Sequence, residues 1–158
     1  MKYFHLVFVA MLLGSSVFSQ SFSVSDLTTL YEHDDNFFDS YVLKRGYAFK
    51  EFKQNTASYA LKNDLSANNM ICYNYSSDAS SIEKRSRNIV WIFASDATYL
   101  NFKDSLITAG FEAYPSEKDD SPKGRKFTYT NHTYIITIES HRFNNSLNPM
   151  YFVFVVKI

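Results

Sequence analysis

The densest set of side chains able to bind a metal is Glu32-His33-Asp34-Asp35, followed one helical turn later by Asp39. Helical spacing would put Asp35 and Asp39 on one face. The same residues also suit a solvated turn and a helix start, where acidic side chains are favoured by the helix dipole. That second use is the expectation, and with it no bound metal and no other cofactor. His132 and His141 flank an apolar stretch. A hydrolase would need one of them beside a carboxylate and a serine, and no spacing picks out such a set. Cys72 is the single cysteine and lies in an apolar run, which suits a small buried hydrophobe better than a catalytic thiol. A phosphate-cradling loop needs glycines so that backbone N–H groups can approach the ligand. Only Gly46, Gly110 and Gly124 follow Gly14, and two of these are needed elsewhere. The chain has no Gly-x-Ser-x-Gly elbow and no His-Glu-x-x-His helix. No catalytic residue is assigned.

The elements that would carry any site are organised around two similar corners. One is Asp39-Ser-Tyr-Val-Leu-Lys-Arg-Gly-Tyr-Ala-Phe49 and the other is Lys103-Asp-Ser-Leu-Ile-Thr-Ala-Gly-Phe-Glu-Ala113. Each reads as the end of a helix, a glycine at positive φ, and the start of a strand. Before the first corner, Ser25-Asp26 suits a helix cap, and Asp34 or Asp35 suits the cap of a second helix over 36–45. Strands are expected over 47–53, 56–62, 70–75 and 87–94. After a helix capped by Ser95-Asp96, more are expected over 111–115, 127–130, 134–140 and 151–158. The strand around Trp91 is apolar on both faces and is expected to be central and covered on both sides. The fold class is therefore α+β: an antiparallel sheet of about eight strands with helices on one face, built from two tandem units of a helix and four strands. Residues 21–94 form the first unit and 95–158 the second, together one compact domain.

Residues 1–20 read as a signal peptide. Lys2 provides the positive start and Leu6 to Leu13 a short apolar run. Val17 and Ser19 suit the third and first positions before a cut, which is placed after Ser19 or Gln20. No other stretch is long enough to span a membrane as a helix, so no stable insertion is expected after cleavage. Lys/Arg and Asp/Glu are balanced at 16 each, which gives no general attraction to nucleic acid. Lys84, Arg85 and Arg87 form a small basic run, read with Glu117, Asp119 and Asp120 as solvated loop charges.

The aromatic content offers a lead, at 18% of residues, with 15 Phe and 12 Tyr. Aligning the corners sets Met70, Cys72 and Asn74 with Tyr134, Ile136 and Ile138 on the helix-covered face. It also sets Trp91 with Phe154 and Tyr59 near Tyr129. The other register then carries Tyr73, Tyr75, Thr137 and Glu139, a mixed aromatic and polar surface suited to recognition. These four are the candidate binding residues, backed by the loops 76–86 and 116–125.

Phe18-Ser-Gln20, Asp26-Leu-x-x-Leu30 and Phe38-Asp-Ser-Tyr-Val-Leu-Lys-Arg-Gly-Tyr-x-Phe49 together resemble small uncharacterised exported proteins of Bacteroidetes-type bacteria. The layout of two helix-plus-four-strand units resembles that of the secreted β-lactamase inhibitor proteins, which grip a protein with the open sheet face. The first resemblance implies export. The second implies a sheet that engages a protein partner, although the disulfides of those inhibitors are absent here. The expected function is an exported, non-enzymatic binding module of the periplasm or cell exterior, inhibitor-like or immunity-like. Two alternatives are a small secreted hydrolase or envelope-modifying enzyme, and a structural envelope component.

Overall fold

The computed structural model describes residues 21–64, 68–75, 87–114, 124–143 and 149–158. The expected signal segment and most of the two long loops lie outside these residues.

Helix α1 spans Val24–Glu32 and α2 spans Asp35–Lys44. The first begins two residues earlier than a Ser25-Asp26 cap would have it. Ser23 is the cap, and Asp26 completes a capping box: its N–H donates to Ser23 Oγ at 3.1 Å while its carboxylate accepts from the Ser23 N–H at 2.8 Å. Asp34 caps α2 by accepting from the Phe37 N–H at 2.8 Å. The corner follows as expected, with Gly46 at φ 86° and, at the second corner, Gly110 at φ 79°. Between the corners and beyond lie β1 (Tyr47–Lys53), β2 (Thr56–Leu61), β3 (Met70–Tyr75), β4 (Arg87–Phe93) and helix α3 (Asp96–Thr108). Then come β5 (Glu112–Tyr114), β6 (Gly124–Thr130), β7 (Tyr134–His141) and β8 (Met150–Lys157).

All eight strands form one antiparallel sheet in the order β1-β2-β3-β4-β8-β7-β6-β5. The fold is thus α+β with helices packed against the sheet. β8 lies between β4 and β7, so the C-terminal strand is central. At that seam Trp91 pairs with Val153, and both are fully buried. The covered face presents Ile71, Ile89, Trp91, Ile136, Val153 and Val155 to Leu27, Leu30, Phe38, Val42, Phe102 and Leu106 of the helices. Phe22, just before α1, packs its ring 5.5 Å from both Tyr47 and Trp91.

Three expectations about faces are corrected. Ile71 and Tyr73 lie on the helix-covered face, and Met70, Cys72 and Asn74 lie on the other, the reverse of the aligned register. Trp91 shares its face with Val153 and Val155, not with Phe154. β4 is central, but among the described residues only one of its faces is covered: Ile89, Trp91 and Phe93 are buried while Val90 and Ile92 remain partly exposed. The cause of the first two errors is parity. Side chains alternate along a strand, so an alignment off by one residue swaps faces. Equal spacing from Gly46 and Gly110 matches Cys72 to Ile136, whereas the faces match Ile71 to Ile136; for Trp91 the same spacing gives Val155, on its own face, and Phe154 is one residue short of it.

Candidate functional site: the open face of the sheet

The face away from the helices is built by the alternate residues of the same strands. One cross-strand row runs Ala60, Met70, Ile92, Phe152, Glu139, Lys126. The next runs Ser58, Cys72, Val90, Phe154, Thr137, Thr128. Met70, Val90, Ile92, Phe152 and Phe154 are all partly exposed, so the middle of this face is an apolar strip over β3, β4 and β8. The small side chains Ala60, Ser58 and Cys72 on the same rows are buried. The Cys72 thiol reaches Ser58 Oγ at 3.5 Å, and burial pushes its pKa up, so it is held as an unreactive thiol.

At one end the strip becomes polar. Glu139 lies 3.5 Å from Lys126 Nζ and 3.4 Å from His141 Nε2. The His141 ring meets Phe152 edge-on, with centroids 5.3 Å apart at 84°. These groups are partly solvated, so their attraction fixes orientation more than it adds stability. Ser140 points the other way, its hydroxyl engaged with the Arg125 backbone, so it does not join His141 and Glu139 in a hydrolytic set.

Thr137 and Glu139 therefore lie on the open face, opposite Phe154 and Phe152. Tyr73 does not. It is 6% exposed and sits edge-on to Phe38 of α2, with centroids 4.8 Å apart. The Tyr75 backbone pairs with Arg87, and its side chain lies outside the described residues. Phe152 and Phe154 were not among the sequence candidates. Their signal was present, since β8 is apolar at every position from Met150 to Val156. An unbroken apolar run does not say which of its two faces the helices cover.

The acidic cluster of the first helix pair is dispersed among separate structural tasks. Glu32 accepts from the Tyr134 hydroxyl and from Lys157 Nζ at 2.9 Å, tying α1 to β7 and β8. Hydrogen bonds from those two groups hold its carboxyl below the usual range, and burial pushes Tyr134 up to about 12. Asp34 is a cap, Asp39 accepts from the Tyr59 hydroxyl, and Asp35 lies 3.4 Å from Arg87. Among the described residues no group of three or more His, Cys, Asp or Glu is gathered for a metal.

A cleft of about 340 Å³ opens on the helix side between the start of α1, the end of α2 and α3. Its charged groups are spent on each other. Arg45 donates to Asp26 Oδ1 at 2.8 Å, to the Tyr41 hydroxyl at 2.9 Å and to the Ser21 carbonyl at 3.1 Å. Partial burial alone would raise the Asp26 carboxyl, but hydrogen bonds from Tyr41 and Ser23 and the charge of Arg45 outweigh it and hold the group low. The arrangement pins residues 21–23 to the helices.

The molecule is thus an α+β protein whose eight-stranded sheet is covered by helices on one face and offers an apolar strip with a charged end on the other. Comparison with known protein families, with curated proteins and with solved structures gives no match. Among the described residues no helix is long and apolar enough to cross a membrane.

Proposed function

We propose that this is an exported, non-enzymatic binding module that holds a protein partner against the open face of its sheet. The observation that carries the reading is the strip Met70, Val90, Ile92, Phe152 and Phe154, which no described element covers. Its partner is a folded protein presenting an apolar projection to the strip, with Thr137 and Glu139 at the polar end fixing its orientation. Apolar centres with polar rims are the usual anatomy of such contacts, and aromatic anchors supply most of their energy. Export is supported by the signal-like residues 1–20 and by the way the fold takes hold directly after them: Arg45 grips the Ser21 carbonyl and Phe22 enters the core. The likeness to small exported Bacteroidetes-type proteins points the same way, with action in the periplasm or outside the cell. Inhibition of, or immunity to, another secreted protein is the form this would take.

The test has two arms. The amino terminus of the exported protein, read by mass spectrometry, should begin at Gln20 or Ser21; retention of residues 1–20 refutes export with cleavage. A partner recovered by cross-linking is then purified and its affinity measured. Phe152→Asp with Phe154→Asp should weaken binding by at least about a hundredfold, the loss of two anchors, with Trp91 fluorescence unchanged. Unchanged affinity in a folded double variant overturns the open-face reading.

A further inference from the structure

We propose that the protein also pairs with a second copy of itself along the free edge of β1, which goes beyond the open-face reading and uses a different surface. β1 and β5 are the two edges of the sheet. β5 has only three residues, whereas β1 has seven, Tyr47-Ala-Phe-Lys-Glu-Phe-Lys53. Two aromatic rings stand exposed on this edge, Phe49 at 54% and Phe52 at 62%. Both lie on the helix side of the sheet, because the pairing with β2 skips Lys50: Phe49 faces Tyr59, Glu51 faces Ser58 and Phe52 faces Ala57. The bulge thus brings two aromatics three residues apart onto one face.

A bulge and lysines ordinarily guard an edge against indiscriminate strand addition. In one antiparallel register with a second β1 the guard becomes a match. When the two-fold axis passes between Lys50 and Glu51, Lys50 meets the Glu51 of the second copy and Glu51 meets its Lys50. Phe49 then meets Phe52, and Ala48 meets Lys53, each pair on the same face. Shifting the register by one residue in either direction sets side chains of opposite faces against each other. The edge therefore rejects a generic strand and accepts its own copy. A phenylalanine buries about 150–250 Å² in full, so the exposed portions of four rings supply about 400–500 Å² of apolar contact. That apolar area is below the roughly 1,000 Å² expected of a stable specific interface, so the pairing is weak and transient and relies on the backbone ladder and the charge match for its register.

The experiment is sedimentation velocity across micromolar to millimolar concentrations on the protein recovered from an exporting host. A monomer–dimer equilibrium is expected. Glu51→Lys sets like charges across the axis twice and should raise the dissociation constant about tenfold. Lys50→Glu combined with Glu51→Lys restores opposite charges and should return it to within about threefold of the original. Trp91 emission and the melting temperature, unchanged in all three proteins, establish that the fold is intact. A monomer at every concentration overturns the proposal. So does a dimer indifferent to Glu51→Lys, or one that the double exchange fails to restore.

Discussion

Replacing Arg87 tests how the helix pair is fastened to the sheet. Arg87 opens β4 and is 8% exposed, with its guanidinium between the rings of Phe38 (5.2 Å) and Tyr73 (4.8 Å). It donates to the His33 carbonyl at the end of α1 and lies 3.4 Å from Asp35 at the start of α2. Among the described residues Nε and Nη2 have no hydrogen-bond partner. The favourable side of the balance is one charge-assisted hydrogen bond at about 1.5–3 kcal/mol and two ring contacts at about 1 kcal/mol each. Against it stands the cost of dehydrating a guanidinium, several kcal/mol, only partly offset by an Asp35 that is itself well solvated. The charge therefore contributes little net, and the packing of the long side chain between two rings dominates. Arg87→Ala leaves that slot empty and should cost about 3 kcal/mol. Arg87→Met fills it without the dehydration cost and should cost less than about 1 kcal/mol. Urea titration followed through Trp91, the single tryptophan, gives both values on one probe. Equal losses for Ala and Met would refute this reasoning and place the stability in the ion pair and hydrogen bond.

Acid should loosen the fold through Asp26 and, more weakly, through the exposed Glu32. Both carboxyls are lowered in the folded state, so their contribution is complete above the unfolded value of about 4 and is lost as pH falls through the lower folded value. In acid titrations of the melting temperature, Asp26→Asn should be less stable at neutral pH and show a shallower decline below about pH 4. The glycines should separate by mechanism in thermal unfolding. Gly110→Ala meets no atom within 4 Å and should lose only about 1–2 kcal/mol for its positive φ. Gly124→Ala would bring Cβ to 2.2 Å from the Ser140 carbonyl oxygen and must displace the β6–β7 ladder, a larger loss. Removing residues 153–158 takes the partners of β4 and β7 out of the centre of the sheet and should abolish soluble expression; normal melting of that truncation would contradict the central place of β8.

Local chemistry made most elements legible. The first helix start was misplaced by two residues because Asp26 serves at the third position of a capping box, and only the Ser23 geometry distinguishes that from a cap. The gap between the strands expected over 47–53 and 56–62 leaves Gln54-Asn55 for the turn, and both residues adopt positive φ. The candidate site was half legible. Thr137 and Glu139 are on the open face, where alternation in the second unit placed them, while Tyr73 is under α2. Arg87 was read as a loop charge because a basic residue in a polar stretch carries no mark of the aromatic slot that receives it.

What the sequence determined by itself is the set of short-range decisions: two glycine corners, the order of helices and strands, the balance of charge and the absence of a recognisable catalytic motif. These depend on residues within a few positions of one another, so the chain states them directly. Tertiary structure alone decided which face each strand turns to the helices, and therefore where a partner can reach. Alternation fixes a strand's two faces relative to each other. The sign of that choice comes from pairing with strands far away in the chain, where one skipped residue, such as Lys50, reverses every side chain that follows.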